Sequence, residues 1–93
     1  NGMVYTSGQI ALTPEGEFLN LDIEVQTRQV LTNLSEVLKS AGSNLDKVVK
    51  TTIFLQNMSD FESVNKIYAH FFKEHKPARS TVAVQKLPKN ALI

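Results

Sequence analysis

The 93-residue sequence contains no cysteine, which excludes a disulfide framework and the usual structural zinc sites. Its apolar runs are only a few residues long, so no segment spans a bilayer as a helix. No glycine-rich phosphate loop and no metal-ligand cluster can be read along the chain. His70 and His75 lie five apart on one expected helix, off the i, i+4 spacing that sets two ligands side by side. Both read as surface or helix-end residues. Ser7 has no His or Asp partner suggested by spacing, so a nucleophilic triad is unsupported.

What is present describes one small globular domain. Hydrophobic residues make up 42% and charged residues 20% of the chain, an ordinary folded balance. A domain of this length buries a modest fraction of its surface, and self-assembly is expected to supplement its core. The net charge of +1 hides an asymmetry. Residues 1–62 carry four basic side chains against eight acids, a net of −4. Residues 63–93 carry six, Arg79 among them, against Glu74 alone, a net of +5. The lysines read as solvated surface, and the sharper reading is a field that attracts small anions or an acidic neighbour. Nucleic acid is the weaker reading, because no arginine cluster or recognition module accompanies the charge.

Pattern and punctuation give the elements. Residues 3–12 read as a strand interrupted at Gly8, where a bulge or a close approach is expected. Asn1-Gly2 before it is hairpin-turn chemistry with no strand in front. Thr13-Pro14-Glu15-Gly16 is a turn, followed by a short extended piece. A helix follows, with Ile23, Thr27, Val30, Leu31, Leu34, Val37, Leu38 and Ala41 on one face. Asp22 is its expected N-cap and Gly42 its C′ residue. Lys47 to Gln56 is a strand, with Val49, Thr51, Ile53 and Leu55 toward the helices and Val48 and Phe54 on the opposite face. Those two apolar residues point to cover by another subunit. Ser59 and Glu62 read as a capping box opening a second helix, which Pro77 stops. Phe61, Val64, Tyr68, Phe71 and Phe72 form its stripe, and Asn65 sits at the stripe's edge. Arg79 to Gln85 is a strand, and Ala91 to Ile93 begins another. The order implies an α+β fold, a mixed sheet with two helices on one face, ferredoxin-like in the broad sense.

Arg79 stands out at the entrance to an otherwise apolar strand. Its planar fork matches a carboxylate, although spacing alone favours a surface ion pair.

Taken together, the residues resemble a known family. Pro77-Ala78-Arg79-Ser80-Thr81-Val82, then Leu87-Pro88-Lys89 and Ala91-Leu92-Ile93, look like the C-terminal signature of the RidA/YjgF family, the reactive intermediate (enamine/imine) deaminases. Tyr5-Thr6-Ser7-Gly8-Gln9-Ile10, Val48 to Leu55, and the second-helix set of Phe61, Val64-Asn65, Tyr68 and Phe71-Phe72 match as well. The resemblance covers essentially the whole chain and looks nearest to a eukaryotic branch that includes fungal mitochondrial-maintenance proteins.

The resemblance implies a chorismate-mutase-like fold and a homotrimer with ligand sites between subunits. It implies hydrolysis of 2-aminoacrylate and 2-iminobutanoate to 2-oxo acids and ammonia, with no cofactor and no metal. Arg79 would grip the substrate carboxylate as the catalytic residue. Ser7, Gly8, Asn65 and Thr81 would join it in binding the imino or 2-oxo acid. Thr81 stands where many relatives have cysteine, which argues against an essential thiol. Gln85 is a minor deviation. Residues 1–93 form a single domain that is expected to lack an N-terminal strand and the C-terminal strand. A pocket-closing aromatic and a water-orienting glutamate are expected outside them. The compartment is expected to be mitochondrial or cytoplasmic. The other function class is a trimeric 2-oxo acid binding module, or a chaperone-like or translation-inhibiting one, without turnover. A nuclease is least supported.

Overall fold

The computed structural model describes residues 2–93, so the turn expected at Asn1-Gly2 lies in part outside the described residues. Four principal elements follow in the order α1 (Ile23–Ser40), β1 (Lys50–Leu55), α2 (Phe61–Phe72) and β2 (Ala78–Ala83). Short 3₁₀ turns lie at Leu45–Lys47, Met58–Asp60 and Pro88–Asn90. The architecture is α+β.

Both ends of α1 follow the sequence signals. Asp22 Oδ1 accepts from the Val25 amide at 2.9 Å, satisfying one of the free donors of the first turn. At the other end Gly42 adopts φ +81°, while the Gly42 and Ser43 amides donate to the Lys39 and Leu38 carbonyls at 3.0 and 2.8 Å. That is the paired closure in which a left-handed residue ends a helix. Thr27, Val30, Leu31 and Leu38 are buried as expected, whereas Val37 and Ala41 are exposed.

The start of α2 departs from expectation. Ser59 lies inside the 3₁₀ turn, and the residue preceding the helix is Asp60, which makes no side-chain cap bond. An N-cap side chain needs extended backbone to reach back to the first turn. Asp60 instead holds helical angles, φ −84° and ψ 0°, so the expected capping box does not form. The helix ends at Phe72, one turn before Pro77, where Lys73 turns the chain at φ +59°.

β1 and β2 run parallel in the register Thr51↔Arg79, Ile53↔Thr81 and Phe54↔Val82, with α2 as the crossover. Ile53 and Leu55 are buried with Val30 of α1 and Val64 of α2, so both helices cover one face. Leu31, Ile67 and Phe72 form an adjoining cluster. The opposite face is open, with Phe54 47% and Val82 43% exposed. Val48 and Val49 reverse their expected sides: Val48 packs on the second cluster and Val49 is exposed. Both precede the first ladder residue, so the strand alternation does not yet hold there.

The expected mixed sheet is a two-stranded parallel one among the described residues. Residues 3–12 form no strand; Gly2 to Gly8 are all exposed, including Tyr5 at 86%. Extended backbone gains nothing without a partner for its ladder bonds, and residues 3–10 pair with no strand among the described residues. A Cβ built at Gly8 meets nothing within 4 Å, so neither close approach nor packing explains that glycine within one chain. The following turn does form. The Gly16 amide donates to the Thr13 carbonyl at 2.8 Å, and Leu12 and Phe18 make an isolated antiparallel bridge. Ala91 and Ile93 are buried, yet residues 91–93 are not a strand; the Leu92 carbonyl accepts from the Gln56 amide at 3.0 Å.

Candidate functional site

The parallel register sets Thr51 beside Arg79 at the beginning of both strands. α2 crosses over this end and offers Phe61, Asn65 and Tyr68, spaced by four and three and so sharing one helix face. Arg79 Nη1 donates to Asn65 Oδ1 at 2.6 Å. The guanidinium carbon lies 4.9 Å from the Tyr68 ring centroid and 5.4 Å from that of Phe61, both within cation–π range. Tyr68 is in turn held by a 2.8 Å hydroxyl–hydroxyl bond with Thr51 and by stacking on Phe72 at 4.5 Å. The guanidinium is therefore aimed from two sides. One of its N–H groups is committed to Asn65, and the others remain for a ligand.

Arg79, Asn65, Tyr68, Phe72 and Pro77 line a solvent-open cleft of about 520 Å³. A half-buried arginine fork over aromatic rings is suited to a planar anion such as a carboxylate, because the rings remove competing water and hold the fork in one plane. His75, expected to be a helix-end residue, also lines the cleft, and its Nε2 donates to the Val48 carbonyl at 2.6 Å. Among the described residues no group of three or more His, Cys, Asp or Glu side chains is placed to hold a metal ion.

The expected site residues separate into two groups. Arg79 and Asn65 are in direct contact. Thr81 follows Arg79 on the same side of β2; its Oγ1 is buried and has no hydrogen-bond partner, and it does not line the cleft. Ser7 and Gly8 lie on the exposed N-terminal segment and are not among the cleft residues. The ring platform of Phe61 and Tyr68 and the Thr51 tether were not identified as site parts from sequence. The spacing of Phe61, Asn65 and Tyr68 was the available signal, since it puts a polar group between two aromatics on one face.

Comparison with known proteins identifies the relatives. A family model described as endoribonuclease L-PSP matches residues 1–93. The chain belongs to this family. Its names vary among members, and YjgF and RidA are also used for it. A candidate regulator, AldR, from Lactococcus lactis is 53% identical over 94 residues, covering all of this chain and 75% of that protein. Reactive Intermediate Deaminase A from Arabidopsis thaliana, a chloroplastic protein, is 49% identical over 94 residues. This chain spans half the length of that plant relative. Among solved L-PSP structures, that of a candidate endoribonuclease from Entamoeba histolytica is 55% identical, with a TM-score of 0.95 over 99% of this chain and 74% of that one. The structure of TdcF from Escherichia coli with bound serine is 37% identical, with a TM-score of 0.87 over 94% of this chain and 71% of that one. Similarity thus reaches bacteria, a plant and an amoeba at comparable levels, and relatives with organellar names include mitochondrial as well as chloroplastic ones.

Proposed function

We propose that this L-PSP family chain hydrolyses small 2-imino acids and their enamine tautomers, of the 2-aminoacrylate and 2-iminobutanoate class, to 2-oxo acids and ammonia. The observation that carries the reading is the Arg79 fork, held by Asn65 over Tyr68 and Phe61 at an open cleft. Arg79 grips the substrate carboxylate in a bidentate manner. A water then adds to the C=N carbon, giving a carbinolamine that expels ammonia and leaves the carbonyl. Catalysis rests chiefly on positioning: fixing the carboxylate fixes the C=N carbon relative to the water. The reaction as written requires no metal and no cofactor. The 49% identity to a protein named as a reactive intermediate deaminase supports this class of chemistry. A solved relative holding serine supports a ligand of amino-acid type.

The reading includes a homotrimer of chorismate-mutase-like subunits whose neighbours complete each cleft. The exposed pair Phe54 and Val82 on the open sheet face supports such an assembly, because apolar surface gains by burial. Ser7, Gly8 and Thr81 are proposed to line the shared cleft beside Arg79 and Asn65. A mitochondrial or cytoplasmic location is part of the reading, and the names of one mitochondrial and one chloroplastic relative accord with an organellar address.

A second reading is binding without turnover. It is favoured by one observation, a solved relative that holds an intact small molecule, serine. The test is a coupled assay in which a dehydratase generates 2-iminobutanoate and its disappearance is followed with and without the protein. Acceleration that Arg79→Ala abolishes supports hydrolysis. Binding of 2-oxobutanoate with no acceleration supports the second reading.

A further inference from the structure

The cleft is more cationic than a short monocarboxylate needs. Beyond Arg79, its lining includes Lys73, His75 and Lys76, and no Asp or Glu lines it among the described residues. Glu74, the one acid of the neighbourhood in sequence, is exposed and outside the cleft. The ordinary reason for cations at a helix C-terminus is the helix dipole. That reason covers Lys73, which follows α2 directly. It weakens for Lys76, which lies three residues further on in the loop leading to β2 and still faces the same cavity. His75 is fixed by its bond to the Val48 carbonyl, so its ring is part of the wall.

We infer that the Lys73–Lys76 end of this cleft receives a second anionic group of the ligand, so that 2-imino and 2-oxo dicarboxylates are bound in preference to monocarboxylates. The inference rests on the proposed role of Arg79, which takes the carboxylate next to the C=N carbon. The lysines meet the distal carboxylate as point charges on flexible stems, which tolerates variation in ligand length. Both lysines are exposed, so each contact is worth the small amount typical of solvated ion pairs. The preference expected from two such contacts is about three- to tenfold, and it declines with added salt.

The test is titration calorimetry of the full chain with 2-oxobutanoate and with 2-oxoglutarate, reading the ratio of affinities. The parent protein is expected to favour the dicarboxylate, and the double variant Lys73→Ala/Lys76→Ala to bring the ratio close to one. Lys66→Ala removes an exposed α2 lysine outside the cleft, and the ratio is expected to persist. A parent ratio of one overturns the inference. So does a ratio that survives the double variant, or one that falls equally with Lys66→Ala, which would mark a general field. Arg79→Ala separates the two levels: if it leaves 2-oxobutanoate binding intact, the reading of Arg79 itself fails, whatever the lysines do.

Discussion

Replacing Arg79 by lysine keeps the charge and removes the fork. In the parent protein the guanidinium spends one N–H on Asn65, at 2.6 Å, and its carbon lies 4.9 Å from the Tyr68 ring centroid and 5.4 Å from that of Phe61. A lysine ammonium presents three donors around a point and has no planar edge to set against both carboxylate oxygens. The loss is then one charge-assisted hydrogen bond, worth about 1.5–3 kcal/mol. At a factor of ten per about 1.4 kcal/mol, Arg79→Lys weakens 2-oxobutanoate binding roughly 10- to 100-fold. Titration calorimetry reads this directly, with thermal unfolding as the control for an intact fold. If Arg79→Lys binds within about twofold of the parent, charge alone attracts the ligand, and the argument from planar geometry fails.

Two further substitutions test the scaffold. Gln26 is 1% exposed, donates to the Leu21 carbonyl at 2.9 Å and accepts from the Leu92 amide at 2.8 Å. Gln26→Leu leaves both backbone groups unpaired, and urea unfolding is expected to show a loss of about 2–4 kcal/mol; a change under about 0.5 kcal/mol would show that the clamp is dispensable. Thr81 Oγ1 is buried without a partner, so Thr81→Val, nearly the same shape, is expected to raise the urea midpoint by removing an unpaid desolvation cost of about 1–3 kcal/mol. A lowered midpoint contradicts that expectation and shows the hydroxyl to be engaged.

The parts of the fold that depend on local chemistry were legible in the sequence. Asp22 and Gly42 bound α1 because a side-chain oxygen and a left-handed residue act within one turn of themselves. Thr13 to Gly16 turn for the same reason. The misreadings came where a neighbour decides. Residues 3–12 have strand composition, but a strand is a pairing, and among the described residues only Leu12 of this segment finds a bridge partner, Phe18. Ser59 and Glu62 have capping-box spacing, yet the 3₁₀ turn at Met58–Asp60 already bends the backbone into helical angles. Gln26 is absent from the apolar face read for the first helix, yet it is buried and accepts from the Leu92 amide, 66 residues away. At the site, Arg79 was marked by its residue type, its place at the entrance to an apolar strand and the family signature around it. Its anchoring came from the parallel register with Thr51 and from the face of α2, which sequence spacing showed only for Phe61, Asn65 and Tyr68.

The central claim is that a carboxylate-gripping Arg79 turns this cleft into an imine-hydrolysing site. The most direct measurement is the rate at which 2-iminobutanoate disappears, with ammonia and 2-oxobutanoate appearing in equal amounts, for the parent and Arg79→Ala at matched concentration. The account predicts acceleration by the parent and a rate indistinguishable from the uncatalysed one for the variant. Equal acceleration by both proteins, or by neither, would contradict it.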